Sequence, residues 1–553
     1  MMACAVLVAC MGVRAATFER TIEAPNGVGD VVALTNALTE LNTTYDYKTT
    51  VRIWLQPGTY DLSGVQMSSS DGGKGHLVIE AYQGGIFAGL GDGPEDTILL
   101  GGGEAGNRRV MYSKGGGNYG YFTVSNLTVT GGWTAGDGGG ICGTHSTAYR
   151  NLIVSNNYAI GSSNGTGGGG CYSGVAYNCL FADNHCTARW GGGFLVSGYS
   201  TRNETIGQGA WNCVFVDNTA SSNGGGLACN GGGQCHNCAF TNNTAASGGG
   251  VYFYKVDYAT FNGSARTSCV ANCTFTGNSG GSVGGALDVD YAVAQRTVPV
   301  TNCVFRSNAG NFAVRYGDMV DCVMECNTNA VAVVCNSPMN RCVLRGNAVQ
   351  NRYSTAIDYA GSSFPLLTNV NCLVESNFFL QDYGKLFSRK HYVNCTIIGN
   401  SMPSGNKYGY LSEGCVFHNC VLAGNKISES NFLDVRTVAY EGAAVAVTMT
   451  NCVFSASDVA AGEIGADGTV SHAGLFNCRK IDAANLKFAN AAGGDYTPTT
   501  RSHLYNAGLA SDWIIALVGA EDLAGNARVF DRGIDIGAYE CQRNPPGIIL
   551  IVE

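Results

Sequence analysis

A seven-residue unit, Asn-Cys-x-Phe-x-x-Asn, recurs along this chain and restricts what it can fold into more than any other feature of the sequence. It reads NCVFVDN from 212, with NCLFADN at 178, NCAFTNN at 237, NCTFTGN at 272 and NCVFRSN at 302. Looser copies follow as DCVMECN at 321, RCVLRGN at 341, NCLVESN at 371, NCTIIGN at 394, NCVLAGN at 419 and NCVFSAS at 451. With further starts at 126 and 151, the interval is 19 to 35 residues. Self-similarity on that scale marks a solenoid, in which a repeat buries its apolar face only by stacking on its neighbours. The shortest interval holds three short strands and three turns, one coil of a parallel β-helix, and the longer intervals carry loop insertions. Coils about 4.8 Å apart make the units a rod of roughly 60 Å.

Strand periodicity assigns the unit its faces. Cys213 and Phe215 point inward while Val214 and Val216 point outward. Asn218 ends the strand, and asparagine tolerates the left-handed backbone of a tight turn. Stacked copies at Asn184, Asn218, Asn243, Asn278 and Asn308, continued by 327, 347, 377, 400 and 425, are therefore expected to hydrogen-bond up the rod as a ladder. The second unit position stacks Cys179, Cys213, Cys238, Cys273 and Cys303, with six later copies. Parallel Cβ atoms about 4.8 Å apart are too distant for disulfides, so these thiols read as small buried hydrophobes. Cys235-His236-Asn237-Cys238 lacks a second matching pair and makes a poor zinc motif. Cys142, Cys229, Cys269 and Cys335 remain candidates for bridging neighbouring loops.

Glycine fills 79 of 553 positions and charged residues only 13%, which suits a chain that turns often and packs on itself. A net charge of -9 excludes the clustered cationic surface that nucleic acid requires. The first sixteen residues, with an apolar run from Ala3 to Val13 and Val13-Arg14-Ala15 behind it, read as a signal peptide, with acylation of Cys10 as the alternative. No later segment reaches the ~20 apolar residues of a spanning helix. Asp30 caps a helix whose buried stripe is Val31, Leu34, Ala37, Leu38 and Leu41, and this helix covers the first coil as a lid. The chain thus divides into a leader (1–16), a cap helix with first coils (17–125), the repeat array (126–457) and closing coils (458–553).

After that helix, IWLQPGTYDLSG at 53–64 resembles the opening segment of pectin-lyase-like proteins, which implies an all-β, right-handed parallel β-helix. GGGFLV at 191, GGGLAC at 224, GGGVYF at 248 and GGALDV at 284, with the Phe-x-x-Asn unit ends, resemble the repeats of polymorphic outer-membrane proteins. That resemblance implies an exported, surface-displayed rod. AGGDYTPTTRSHLYNAG at 492–508 and DLAGNARVFDRGIDIGAYE at 522–540 resemble the terminal signature of bacterial choice-of-anchor Q proteins, matching at Asp522, Gly525, Asn526, Arg528, Asp535, Gly537, Ala538, Tyr539 and Glu540. The resemblance implies a secreted or surface-attached repeat protein. Ile534, Ile536 and Ala538 alternate as a final strand that would close the last coil.

Chemistry on such a rod requires acids or a base on the outer face of consecutive coils. Taking Leu287, Val314 and Ile357 as equivalent inward residues places Asp288, Arg315 and Asp358 outward, with Asp290 near. Asp288 and Arg315 would then lie one coil, about 5 Å, apart, and Asp358 about 10 Å from Arg315. Two carboxylates beside an arginine suit uronic-acid recognition or glycosidic cleavage, with Ca²⁺ as a cofactor under the lyase alternative. Tyr252 and Tyr254, with Leu195 and Tyr172, form an apolar strip on the same face suited to stacking on sugars, and equally to plain sheet surface. The Asn-Thr-Asp, Gly-His-Gly and Arg-Ile-Lys motifs of polygalacturonase-like enzymes do not occur. The leading expectation is a non-catalytic, exported β-helix serving adhesion, glycan binding or cell-surface structure. The alternative is a polysaccharide lyase or glycoside hydrolase centred on Asp288, Arg315 and Asp358.

Overall fold

The computed structural model describes residues 17–543 except 46–48, 70–72, 81–83, 114–121, 162–166, 188, 198–207, 255–259, 262–263, 266–267, 282, 291–297, 351–355, 362–365, 381–384, 403–409, 427–438, 441–442, 445–446, 456–468, 473 and 532. The leader and Cys10 lie outside the described residues. Among the described residues the chain winds as a right-handed parallel β-helix with three long sheets of 31, 13 and 10 strands. The largest sheet takes two strands from each coil and turns a corner between them, as Gly209–Trp211 and Val214–Val216 do. A third short strand, Thr219–Ala220, joins the ten-strand sheet, and Leu227–Asn230 joins the thirteen-strand sheet before the next coil begins.

The interior is built from the repeat. Phe181, Phe215, Phe240, Phe275 and Phe305 stack with ring centroids 4.7–4.9 Å apart and planes within 9° of parallel. Met324, Leu344, Val374, Ile397, Leu422 and Phe454 continue the same column in the looser copies. The cysteines of the second position are buried, and their thiols donate to the carbonyl two residues back, as from Cys213 to Trp211, Cys238 to His236 and Cys273 to Ala271 at 3.2 Å. Every described cysteine is a free thiol, including the loop candidates Cys142, Cys229, Cys269 and Cys335. Burial pushes the Cys229 thiol well above its ordinary range, and a thiol so held is inert because the thiolate is the reacting form. Among the described residues Cys326, which is exposed, and the half-buried Cys269 are expected to take up a maleimide in the native protein, the others only on unfolding. Peptide mapping after labelling checks this, and rapid native modification of Cys213 or Cys273 would contradict it.

The asparagine ladder forms, with one change in how its corner is made. From Asn157 through Asn184, Asn218, Asn243, Asn278, Asn308, Asn327, Asn347, Asn377 and Asn400 to Asn425, each Nδ2 donates to the next Oδ1 at 2.8–3.1 Å. The left-handed residue, however, is the one before each rung: Asp183, Asp217, Asn242 and Ser307 have φ of 51–55°. The backbone bends there, which turns the following asparagine into the bore instead of leaving it in the turn. The first unit position is left-handed too, at Asn178, Asn212, Asn237, Asn272 and Asn302, and these side chains form a second, exposed ladder at 2.9–3.1 Å. Glycine is required at the third corner, where Gly224 has φ 68° and a Cβ on Gly225 would sit 2.5 Å from the next coil's Gly249 carbonyl oxygen.

A helix covers the amino-terminal end, and the carboxy-terminal segment lies along the flank. Asp30 accepts from the Ala33 amide at 2.8 Å and caps the helix Val31–Thr44, whose Leu34, Ala37, Leu38 and Leu41 are buried against the first coil. At the other end the closing strand expected at 534–538 is absent, and the segment runs back along the flank of the coils. Ile534 packs with Val370, Val393, Ile514 and Val518, while Ile536 packs with Val421, Val453 and Leu504. The first-position asparagines beneath it leave their ladder's solvent face and donate to it: Asn371 to the Val518 carbonyl, Asn394 to Asp535, Asn419 to Leu509 and Asn451 to Ala507. Residues 522–541 supply the knot that holds this flap. Asp522 accepts from the amides of Ala524, Asn526 and Glu540, and Asp535 from those of Asn506 and Cys541. Buried Arg528 donates to the Gly537 and Asp535 carbonyls and stands 3.7 Å from Glu540.

Candidate functional site

The outer face of the thirteen-strand sheet is where sequence placed the candidate chemistry. Strand register sets one outward column as Tyr172, Leu195, Ala228, Tyr252, Asp288, Arg315, Cys335 and Tyr359. A second runs beside it through Ser197, Asn230 and Tyr254. Asp290 leaves the sheet just beyond, its amide bonded to the Phe253 carbonyl.

The structure brings Asp288 and Arg315 together one coil apart, as their spacing predicts. Arg315 grips both carboxylate oxygens, Nε to Oδ1 at 2.5 Å and Nη2 to Oδ2 at 3.0 Å. Asp288 is nonetheless fully buried, covered by its partner, whereas the Arg315 side chain keeps 23% exposure. Burial pushes the Asp288 carboxyl up to about 6 against the pull of the guanidinium. On Arg315 burial acts downward, but the Asp288 charge and hydrogen bonds outweigh it and hold the guanidinium above its ordinary value. The guanidinium carbon lies 5.0 Å from the Tyr316 ring centroid, a cation–π contact made by a residue held at φ 60°.

Asp358 does not belong to this face. Register pairs Val314 with Val334 and Val334 with Asp358, so Asp358 itself, and not Ile357, continues the inward column that passes on to Phe387 and Ser412. A slip of one residue moves a side chain to the opposite face of a sheet. The carboxylate lies in the bore with no exposure.

Tyr252, Tyr254, Leu195 and Tyr172 share the outer face as expected, and around them stands a residue the sequence reading missed. Trp190 lies 4.9 Å from the Tyr254 ring and 6.4 Å from Tyr252, tilted to both, with Arg189 over it at 4.8 Å. Its position directly before a Gly-Gly-Gly corner was the available signal, since a residue at that bend overhangs the sheet that follows. Tyr252 donates to Asp290 Oδ2 at 3.4 Å, tying the aromatic patch to the acidic one. The face thus presents the partly exposed Arg315 guanidinium, with Tyr172 and Tyr254 partly buried against Trp190, Leu195 and Ala228, which like Tyr252 are buried. Among the described residues no three His, Cys, Asp or Glu side chains gather as a metal site, and no helix is long and apolar enough to cross a membrane.

No family model and no curated protein matches the sequence. Solved structures similar to it include a mannuronic-acid-specific family 6 polysaccharide lyase from human gut microbiota, at 12% identity and a TM-score of 0.31 over 84% of this chain and 92% of that one. Tailspike protein 3 of bacteriophage CBA120 is similar at 12% identity and a TM-score of 0.26, over 72% and 56%. The A-module of the mannuronan C-5 epimerase AlgE4 of Azotobacter vinelandii is similar at 11% identity and a TM-score of 0.22, over 65% and 86%. The parallel β-helix of this chain follows from its own strand pairing.

Proposed function

We propose that this protein is an exported, non-catalytic β-helix that binds acidic glycans on the outer face of its thirteen-strand sheet, as an adhesin or structural protein of the cell surface. One observation carries the reading: Arg315 is the partly exposed member of a pair whose carboxylate is buried, on the same outer face as the partly buried Tyr172 and Tyr254. Guanidinium is the side chain best matched to carboxylates, and a tyrosine supplies an apolar ring with a polar hydroxyl. Export and surface attachment rest on the leader and on the resemblance of 522–540 to the choice-of-anchor Q signature.

Binding should respond to pH through Asp288. Above about 6 its carboxylate neutralises Arg315; below, protonation leaves the guanidinium uncompensated. Affinity for a polyuronate is therefore expected to rise as pH falls from 7 to 5, and Asp288→Asn should bind tightly at both. Arg315→Ala is expected to lose about tenfold or more in affinity. Glycan-array and calorimetric titration check this, and wild-type-like binding by Arg315→Ala would refute the site.

A second reading, cleavage of an acidic polysaccharide, draws on the same carboxyl, because a group held near 6 is suited to proton transfer. Its second carboxylate would have to be Asp290, since Asp358 faces the bore. Assays for new reducing ends and unsaturated uronates, with and without Ca²⁺, separate the readings: product lost in Asp288→Asn supports cleavage and counts against the binding rod.

A further inference from the structure

The bore carries a polar cluster that neither stability nor the outer-face site accounts for. Asp358 interrupts the inward column Val314, Val334, Phe387, and Asn369 interrupts the adjoining column Met319, Met339, Tyr392, Phe417. Lys390 enters the bore one residue pair before Tyr392, on the coil after Asn369. All three side chains have no solvent exposure. A lysine and an aspartate buried together in a hydrocarbon core cost several kcal/mol in desolvation, and apolar replacements are often at least as stable. Apart from Ser412, which follows Phe387, the other named positions of both columns are apolar or aromatic, so Asp358 and Asn369 depart from their own repeat.

The three meet on one carboxylate. The Asp358 carboxylate bridges two nitrogens, with Lys390 Nζ 3.0 Å from Oδ1 and Asn369 Nδ2 donating to Oδ2 at 2.5 Å. The Tyr392 hydroxyl donates to the same Oδ2 at 2.7 Å and fixes the carboxylate. The Asn369 carbonyl oxygen accepts from the Met339 amide at 3.1 Å, a backbone donor aimed where negative charge would collect if a nucleophile added to Cγ. The Lys390 ammonium also donates to the Ser337 carbonyl at 2.5 Å, which anchors the end of the chain in place. Fixed juxtaposition of amine, amide and proton carrier replaces a bimolecular encounter by an intramolecular one, worth several orders of magnitude in rate.

We propose that Lys390 and Asn369 become joined by an intramolecular isopeptide bond, with Asp358 carrying the protons. Lys390 Nζ passes a proton to Asp358 and attacks Cγ of Asn369, its oxygen held by the Met339 amide. Asp358 delivers that proton to Nδ2 and takes the second from the attacking nitrogen. The Cγ–Nδ2 bond breaks, ammonia leaves, and an Nζ–Cγ amide remains; no oxidant, metal or cofactor takes part. The bond ties two consecutive coils through the bore, beneath the sheet that the strands 367–370 and 390–393 share.

Mass spectrometry of the full, reduced chain tests the proposal. The folded protein is expected to be lighter than its sequence by one ammonia, with a branched peptide linking Lys390 to residue 369 in the digest. Asp358→Ala and Lys390→Met should restore the unmodified mass. If either variant fails to fold, the wild-type mass and digest decide alone. An unmodified mass with a linear Lys390 peptide overturns the proposal. So does loss of one water with Lys390 joined to Asp358, which would make the aspartate the acceptor.

Discussion

Asn278→Ala is expected to destabilise the coils around it by about 4 kcal/mol, because each rung of the inner ladder satisfies groups on both neighbours. Asn278 donates to Asn308 Oδ1 at 3.0 Å and to the Phe240 carbonyl at 2.9 Å, and accepts from the Asn243 amide and Nδ2 at 3.0 and 3.1 Å. Alanine removes the acceptor of the Asn243 amide and one donor to the Phe240 carbonyl, while Asn243 Nδ2 keeps only its bond to the Phe215 carbonyl, and each interior group left unsatisfied costs about 1–3 kcal/mol. The outer ladder supplies the control. Asn272 makes the same side-chain pairs with Asn237 and Asn302, but on the surface, so Asn272→Gly, which keeps the left-handed backbone at φ 55°, should cost less than about 1 kcal/mol. A solenoid senses such changes locally. Hydrogen exchange across residues 234–310 therefore reads the effect better than a global melt, and equal protection in the two variants would mean that burial is not what gives the inner ladder its strength.

Arg528→Met is expected to release the terminal flap with a loss of about 3 kcal/mol or more, since hydrogen bonds from a charged donor are worth about 1.5–3 kcal/mol each. It would leave the Gly537 and Asp535 carbonyls and the Glu540 carboxyl without their cation. The Leu509 and Gly537 amides, which donate to Asn419, should then exchange rapidly while the Phe240 coils stay protected. Simultaneous loss of protection in both regions would show that the flap is part of one cooperative unit with the rod. The same knot depends on pH. Burial pushes Glu540 up to about 8 from an ordinary value of 4.5, so the folded state holds this proton more tightly than the unfolded one. Its contribution to docking is complete below about 4.5 and is lost as pH rises through 8. Glu540→Gln should flatten that decline, as followed by exchange at Leu509 between pH 5 and 9.

The repeat made the architecture legible. Cys-x-Phe spacing placed the inner wall, the seventh-position asparagines placed the ladder, and the Asp30 helix placed the lid, because each depends only on neighbours within one coil or at the same point of the next. Two details escaped for the same reason they were local. The backbone bends one residue before the rung asparagine, and the first-position asparagine forms a second ladder; the letters alone do not tell a left-handed asparagine from an inward one.

The candidate site divides along a different line. Asp288, Arg315, Tyr252 and Tyr254 share one face as their spacing places them, with glycine corners at 248 and 284 ahead of the tyrosine and Asp288 strands. Asp358 does not, because the coil between 332 and 356 carries no such corner and a shift of one residue puts the carboxylate in the bore. Register there is decided by stacking on Val334 and Phe387, and the flank position of 534–538 by contacts with residues over a hundred positions away, such as Thr396 with Ala538. The sequence by itself determined a coiled, Phe-lined and Asn-laddered rod, because period and chemistry repeat within twenty to thirty-five residues. Only the tertiary structure decided which polar side chains face solvent, which meet inside the bore, and where the terminal flap docks, because those depend on register and on partners the repeat does not encode.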